Sequence, residues 1–464
     1  MASNWSHRVI VAILTPILGM TLGLAADAPP PKAPPRTAAD IAQILTSYKP
    51  DPKRVEEMRA LQAILDSQQP QATDRKDLAR FYLKKADAAS GLGALNVEAE
   101  SLAKAVEFGG GDSLAAELRR LSLAEAKIAS HQKALATNKR ALNATPQGGG
   151  GSMTIYGEQA WLHTRLGDIE EARKAMARSE SEYLSLRSSR AWGMMGTFWT
   201  YGFETYRSLV LSRQGKLVEA EVAMRKAIEA NHEDLRNNQV RIAQNILVMP
   251  QSEIERRSDQ ANFLLAEILA AQGRLSEAEV AARDAFYGSA SRTGGGSVQT
   301  AINLMGLVVV LQQQGRYREA EQISSACIAN LDRAGIPPDA FVAARSRIFL
   351  ANTLVAQGRY AEASAEYLKL HAAMASNPDA QAKLATGTLE WSLALLKTGK
   401  ADESLAMLVR LIPKSQQWLG DKHLDTMELV GVKAMALAVK GDKSAALETF
   451  RSALPILSSH KVIR

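Results

Sequence analysis

The side chains that could perform covalent or metal chemistry are few in this sequence of 464 residues. The single cysteine, Cys327, would act as a nucleophile only beside a histidine. It stands seven residues after Ala320, on a face that we expect to be packed inside a helical structure. His131, His232 and His371 have no second histidine or acidic residue at the spacing of metal ligands. No HExxH or CxxC motif occurs, so the sequence predicts no catalytic centre, no metal site and no bound cofactor.

Glycine-rich segments are the other candidates for chemistry, because a glycine loop that leads into a lysine can cradle a phosphate. Three glycine runs occur, at 109–111, 148–151 and 294–296, and none is followed by the required lysine. The two Gly-Lys pairs, at 215 and 399, are not followed by serine or threonine. We therefore expect the glycine runs to be flexible loops between helices.

Charge and composition exclude some classes of partner. The net charge is +7, but basic and acidic residues are interspersed, and no run of five basic residues occurs. A basic stripe interleaved with aromatics, which is typical of nucleic-acid binding, is absent, so we predict no nucleic-acid partner. Aromatic residues make up 5% of the chain, while alanine and leucine are abundant. This composition favours helices over strands.

One aromatic cluster supports a binding hypothesis. Six aromatic residues lie within a short segment, namely Trp192, Phe198, Trp199, Tyr201, Phe203 and Tyr206. Aromatic residues are enriched at protein-binding hot spots. The alternative interpretation is that the cluster packs an irregular boundary between structural units, and both interpretations stay open at this point.

The amino-terminal segment predicts export. Residues 1–26 combine a weakly basic start, an apolar stretch and small residues, which is the pattern of a secretory signal peptide. We expect cleavage after Ala25 or Ala26, with an uncleaved amino-terminal anchor as the alternative, and a periplasmic or secreted mature chain. Residues 27–40 form a proline-rich linker. No later segment is apolar enough to span a membrane.

A six-residue phrase, Gly-x-x-x-Glu-Ala, recurs with some variation along the rest of the chain. Its glycines stand at positions 167, 215, 273, 315, 358, 399 and 441, and the last five are 41 to 43 residues apart. A regular period of this length indicates a repeat architecture. We interpret each phrase as a turn between two antiparallel helices, with the glycine ending the first helix in a left-handed conformation. The alanine, and a second small residue seven positions before several glycines (Ala160, Ala266, Ala351), let the helices approach closely.

These turns resemble the tetratricopeptide repeat (TPR) family. The Gly-x-Tyr-x-Glu-Ala turns at Gly315 and Gly358 are its signature, and the period and the phrase at 419–426 are similar to the kinesin-light-chain variety. The resemblance implies an all-α fold, a right-handed superhelix (α-solenoid) of antiparallel helix pairs. It predicts about seven repeats over residues 152–460. Residues 41–146 are predicted to be a degenerate, TPR-like helical region.

The resemblance also implies a binding face, because the first helices of TPR pairs line the concave side of the superhelix. A ligand there would be another protein or a peptide. From the repeat phase and the aromatic cluster, nine residues are candidates for binding it: Trp161, Arg165, Trp192, Trp199, Tyr206, Arg213, Glu267, Gln312 and Asn352. The family's clamp for carboxyl termini is not expected, because Ile348, Glu390 and Glu428 replace its basic and amide residues.

Two functions fit these features. The first is an exported, non-enzymatic scaffold or adaptor that binds a protein or peptide through its concave face. The alternative rests on the closing phrase at 446–455, which resembles the repeat region upstream of bacterial CHAT (caspase-like) peptidases. That resemblance implies a region that senses a substrate or activator, with catalysis by a domain outside this sequence.

Overall fold

The computed structural model of the chain describes residues 37–49, 51–71, 74–109, 113–128, 130–243, 249–375, 388–419 and 421–459. The predicted signal peptide and the predicted linker as far as residue 36 lie outside the described residues. The described residues contain twenty α-helices and no β-strand. None of these helices is both long enough and apolar enough to cross a lipid bilayer.

The helices fall into an amino-terminal group and a longer regular group. The amino-terminal group is α1 Ala39–Ser47, α2 Pro52–Asp66, α3 Arg75–Leu92, α4 Leu95–Glu107, α5 Leu114–Lys127 and α6 His131–Asn143. The regular group is α7 Gly150–Leu166, α8 Ile169–Arg187, α9 Trp192–Arg213, α10 Leu217–Ala243, α11 Gln251–Ala271, α12 Leu275–Thr293, α13 Val298–Gln313, α14 Tyr317–Arg333, α15 Phe341–Ala356, α16 Tyr360–Ala373, α17 Leu389–Lys397, α18 Ala401–Leu419, α19 Leu424–Val439 and α20 Lys443–Ser459.

From α3 onward the helices pack in consecutive pairs, each odd-numbered helix against the one that follows it. First helices also stack on first helices, as α7 does on α9 and α13 on α15. Seven such pairs lie between Gly150 and Ser459, and two more precede them. The predicted all-α solenoid of helix pairs is therefore confirmed.

The turn inside each of the seven regular pairs, and inside the α3–α4 pair, contains a glycine with a positive φ. Gly273 has φ 78° and Gly358 has φ 75°, in the left-handed region that disfavours residues with a Cβ atom. At the first of these turns the N–H of Arg274 donates to the carbonyl of Leu269 (3.0 Å), which is the bond that closes a Schellman motif. Gly93, in the region predicted to be degenerate, has φ 71° and forms the same kind of turn between α3 and α4.

The small residues of the repeat lie where two helices of a pair cross. Ala160, Ala266 and Ala351 on first helices, and Ala172 and Ala278 on second helices, are at most 1% exposed. A larger side chain at these positions would push the helices apart, because a close-packed interior has no free volume. The repeating alanines therefore set the distance between the helices.

A second repeated interaction, which was not predicted from the sequence, joins one helix pair to the next. The arginine after the turn glycine binds a glutamate on the second helix of the preceding pair. Nη1 of Arg274 lies 2.5 Å from Glu221, Nη1 of Arg316 lies 2.7 Å from Glu279, and Nη1 of Arg359 lies 2.6 Å from Glu321. The glutamine before each glycine donates to the same glutamate. We call these three sets the Gln-Gly-Arg ladder.

The irregular glycine spacings coincide with longer helices. Helices α9, α10 and α11 have 22, 27 and 21 residues, whereas α13 to α16 have 14 to 17. The extension of α10 is held by Asp234, which accepts from Thr197 at 2.9 Å and pairs with Arg241 at 3.2 Å. Asn231 on the same helix donates to the carbonyl of Ile254 at 2.9 Å.

The amino-terminal helices meet the middle of the array. The turn residue Gly93 accepts a hydrogen bond from the N–H of Phe341, at the start of α15, at 3.2 Å. Helix α1 packs against α14, almost 300 residues further along the chain. The array therefore curves far enough for its early helices to contact its later ones.

Candidate binding surface

Charged residues from first helices that are distant in the sequence face one another. Arg165 on α7, Arg213 on α9, Glu267 on α11 and Arg345 on α15 are all exposed, and their charges act on one another. The pKa of Arg165 is lowered by desolvation first, then by the charge of Arg213 and, in smaller part, by that of Arg345, although α7 and α15 belong to pairs four repeats apart. The first helices therefore line the inside of the curved array, and we call these four residues the inner charge cluster.

The pKa shifts show that protein surrounds the inner charge cluster. The pKa of Glu267 is raised, because nearby protein reduces the hydration of its carboxylate. The attraction of the three arginines offsets only part of this effect. The pKa of Arg345 is lowered, also by desolvation. His131, at the start of α6, has its pKa lowered to about 4 by burial and by the charges of Arg165 and Arg213. The cluster thus holds three cations and one anion that water reaches, in a groove where nearby protein reduces their hydration.

Aromatic rings lie against two of these arginines. The guanidinium carbon of Arg165 lies 5.8 Å from the ring centre of Trp161. That of Arg345 lies 5.4 Å from Phe341 and 5.5 Å from Phe349, on either side of it along α15. Arg345 and both phenylalanines were not among the binding residues predicted from the sequence. Their spacing of four residues, the spacing at which helical side chains meet, could have revealed them.

Two other predicted residues of the inner face are partly engaged within the protein. Gln312 donates to the carbonyl of Phe349 at 3.2 Å and to the hydroxyl of Thr353 at 2.6 Å, so it ties α13 to α15. Asn352 accepts a hydrogen bond from the hydroxyl of Tyr367. Both side chains remain half-buried. They help to shape the groove, and their amide groups are partly occupied.

The structure divides the aromatic cluster between the core and an outer groove. Trp199 is 8% exposed and packs with Phe203, so this predicted binding residue lies in the core. A Cβ atom on Gly150 would lie 2.1 Å from the Trp199 indole nitrogen. The predicted flexible loop at 148–151 is thus wrong in part, since α7 begins at Gly150 and this glycine makes room for the indole. Trp192 is half-buried and lines a cavity of about 600 Å³ between α8, α9 and α10.

Tyr206, another predicted binding residue, takes part in a polar network beneath the surface. Its hydroxyl donates to the carboxylate of Glu158 at 3.2 Å. Glu158 is fully buried and also accepts from Nε of Arg119 at 2.6 Å and from the side-chain amide of Asn138 at 2.9 Å. We call these four residues the Glu158 network. The Tyr206 hydroxyl is therefore committed to internal packing.

Cys327 has the environment of a packing residue. It is 3% exposed, and the hydroxyl of Ser346 lies 3.7 Å from its Sγ atom. Burial raises the pKa of its thiol to about 12, so the reactive thiolate is not populated at neutral pH. Among the residues that the structure describes, no group of three or more His, Cys, Asp or Glu side chains is arranged to hold a metal ion.

Two segments of the chain match the model of a known repeat family. The tetratricopeptide repeat family model matches residues 260–284 and 344–367, which contain the turns at Gly273 and Gly358. The chain therefore contains tetratricopeptide repeats, as its sequence predicted. Among curated proteins, none matches this chain.

Several solved structures resemble this one at low sequence identity. The kinesin-light-chain TPR-like repeats from Podosopora anserina are 17% identical, with a TM-score of 0.35, over 45% of this chain and 98% of that chain. BtubC (BKLC) from P. vanneervenii is 16% identical, with a TM-score of 0.39, over 54% of this chain and 91% of that one. Aspartyl phosphate phosphatase F from Bacillus subtilis is 12% identical, with a TM-score of 0.45, over 84% and 96%.

Proposed function

We propose that this chain is an exported scaffold that binds an acidic segment of a partner protein along the inner face of its superhelix. The observation that carries the proposal is the inner charge cluster, in which Arg165, Arg213 and Arg345 project from three separate repeats around one carboxylate, Glu267. A repeat array presents such side chains as an extended strip, which suits an extended peptide or a helix.

The chemistry of the cluster favours carboxylates over other ligand groups. Each guanidinium has five donors and matches the two oxygens of a carboxylate. The aromatic rings beside Arg165 and Arg345 hold these long side chains in place, which reduces the entropy lost when a ligand binds. Glu267 balances part of the positive charge in the empty groove, and an acidic ligand neutralises the remainder.

The test is capture of partner proteins by purified residues 27–464 from an envelope extract, with mass spectrometry as the readout. A triple variant, Arg165→Ala/Arg213→Ala/Arg345→Ala, removes the inner cations. A control triple variant, Arg178→Ala/Arg318→Ala/Arg410→Ala, removes three exposed arginines of second helices and changes the net charge equally. We expect proteins that bind the wild-type chain and the control to be lost from the inner-face variant.

The same experiment can contradict the proposal. If all three proteins capture the same partners, the inner face is not the binding surface. The captured partners should also elute as salt is raised, because partly exposed ion pairs are screened. Partners that elute only in detergent would indicate an apolar contact and not recognition of carboxylates.

Export is the part of the proposal that rests on residues 1–26 alone. The full-length chain would be expressed in a Gram-negative host, and the amino terminus of the protein from the periplasmic fraction would be sequenced. We expect the mature chain to begin at Ala26 or Asp27. Recovery of the intact amino terminus in the cytoplasm would contradict export, and its recovery in the membrane fraction would favour the uncleaved anchor.

A further inference from the structure

The second helices of neighbouring pairs form outward-facing grooves, and one of these grooves already holds a helix of this chain. Helix α1 lies between α12 and α14. Asp40 of α1 is bound by Arg283 of α12 through Nη1, at 3.0 and 2.9 Å from its two carboxylate oxygens. At the other end of α1, the side-chain amide of Asn330 donates to the carbonyl of Leu45 at 3.0 Å. The groove therefore binds a short helix at both ends.

The apolar face of α1 is fully enclosed. Ile41 and Leu45, one turn apart, are both 0% exposed. The helix has only nine residues, and isolated helices of that length do not persist in water. Its first backbone amide group, that of Ala38, donates to the carboxylate of Glu319. Contacts with the groove thus supply the order that the short sequence lacks.

The neighbouring groove, one repeat earlier, has the same anchors at its amino-terminal end, and none of the described helices lies in it. It is a cavity of about 460 Å³ between α10, α11 and α12. Arg225 stands ten residues after the turn glycine at 215, as Arg283 does after the glycine at 273. Glu277 stands four residues after its turn glycine, as Glu319 does after Gly315. The two residues that hold the amino-terminal end of α1 are therefore repeated in the empty groove.

The two arginines share one local arrangement but differ in exposure. Arg225 is bound to Glu221, one turn earlier, at 2.9 Å, and Arg283 is bound to Glu279 in the same way at 2.8 Å. The side chain of Arg283, covered by α1, is 4% exposed, whereas that of Arg225 is 51% exposed. A guanidinium has five donors, so Arg225 can bind a second carboxylate as Arg283 binds Asp40.

The floor and the far end of the empty groove also suit a helix. Leu265 and Leu269 form its buried floor, and the half-buried Ile228 forms part of its wall. Its far end has Gly288 and Ser291 at the positions of Asn330 and Arg333. The extension of α10 instead supplies a cation, Arg236, and the imidazole of His232, and both side chains line the cavity. Basic side chains next to the carboxyl end of a helix stabilise its terminal carbonyl groups.

We propose that the groove between α10, α11 and α12 binds an amphipathic helix of a partner protein with the pattern of α1. That pattern is one acidic residue in the first turn and apolar residues one and five positions after it. Glu229 and Asp284 line the groove at positions that are Tyr287 and Ala326 in the α1 groove. These added carboxylates disfavour a second acidic residue in the ligand. The site is on the opposite side of the superhelix from the inner charge cluster.

A peptide of residues 37–49, which contains α1, serves as the probe. Labelled with a fluorophore, it would be titrated with the full mature chain, and its anisotropy recorded. We expect saturable binding that weakens at least tenfold with Arg225→Ala and with the Asp40→Asn form of the peptide. In the Arg225→Ala chain the two peptides should bind equally. Arg173→Ala, which removes another exposed arginine bound to a glutamate of its own helix, should leave binding unchanged.

Two results would overturn the inference. One is the absence of saturable binding to the wild-type chain. The other is binding that Arg225→Ala does not affect but Arg283→Ala changes, since the peptide would then be exchanging with the chain's own α1. Circular dichroism of each variant confirms that the fold is intact, which is expected for Arg225→Ala because this side chain is half exposed.

Discussion

Arginine–glutamate pairs join neighbouring repeats in two regions of this molecule, and the two regions differ in how deeply the glutamate is buried. In the amino-terminal half, the Glu158 network places a carboxylate with 0% side-chain exposure at the meeting point of α5, α6, α7 and α9. Near the middle of the chain, the Gln-Gly-Arg ladder places its pairs at the turns, where the glutamates range from buried Glu279 to Glu321, which is 24% exposed.

The difference shows that the same pair of residue types can have unequal importance. A buried carboxylate has lost its water, so removal of its charged partner leaves a large uncompensated cost. An exposed pair is solvated whether or not it forms, and its contribution to stability is small. Burial of the glutamate, and not the number of ion pairs, should therefore decide which repeats depend on them.

The strongest test of this comparison uses two adjacent arginines. Arg119→Met should lower the free energy of unfolding by about 3 kcal/mol, because Glu158 stays buried without its cation. Arg120→Met removes an exposed pair with Asp87 and should cost less than about 1 kcal/mol. Urea unfolding followed by circular dichroism measures both. Equal losses of stability for the two variants would show that burial of the carboxylate does not decide the importance of the pair.

A second change should reverse part of the first. In the Arg119→Met background, Glu158→Gln removes the buried charge and keeps an oxygen that can accept from Asn138 and Tyr206. We expect it to restore about 2 kcal/mol, because a neutral amide costs much less to bury than a carboxylate. A double-mutant cycle in urea gives this value. If Glu158→Gln destabilises the Arg119→Met chain further, the loss in that chain does not arise from an uncompensated charge.

The glutamates of the Gln-Gly-Arg ladder differ from one another in exposure, which allows a finer test of the role of burial. Its three glutamates, Glu279, Glu221 and Glu321, are 1%, 11% and 24% exposed. Arg316→Met should therefore cost about 2 kcal/mol and Arg274→Met about 1 kcal/mol, less than Arg119→Met, because Glu279 and Glu221 keep Arg283 and Arg225 as partners. Arg359→Met should have the smallest effect of the three. Hydrogen exchange of the helices beside each rung, compared with wild type, tests the order, and a reversed order would mean that burial is not the controlling variable.

The last expected effect concerns pH and the histidine beside the inner charge cluster. The unfolded chain protonates His131 near pH 6.5, whereas the folded chain resists protonation down to about pH 4. The unfolded state thus binds more protons in this interval, and the contribution of His131 to stability is lost as the pH falls through it. For this partly exposed ring we expect about 1 kcal/mol after screening by water. His131→Asn should flatten the difference between urea midpoints at pH 7.5 and pH 5. An unchanged difference would show that His131 is not the titrating group.

The fold could be predicted from the sequence because its signals are local and repeat. A glycine that ends a helix and an alanine where two helices cross can each be recognised from a few neighbouring residues. Because the phrase recurs at a nearly constant period, the pattern stands out from chance. Gly93 shows the limit of the method: its following phrase is one residue too long for the pattern, yet the backbone forms the same left-handed turn. The turn needs only the glycine, so it survives when the rest of the phrase has drifted.

The binding surfaces could be predicted only in part. Arg165, Arg213 and Glu267 follow from the phase of the repeat, because they stand close to the turn glycines. Arg345 stands thirteen residues before Gly358, far from the turn phrase that marks the other three residues. The docking of α1 could not be predicted from sequence at all, since nothing near Asp40 marks it as a partner of Arg283, more than 240 residues away.

The distance in sequence between α1 and its groove has a consequence for the order of events during synthesis. Helix α1 leaves the ribosome when the residues of α14 have not yet been joined. At about 5–20 residues per second, roughly 15 to 60 seconds separate the appearance of the helix from that of the groove. Helix α1 is thus synthesised early but packs into its groove late. The contact between the early and later helices is completed only after translation has passed Arg333.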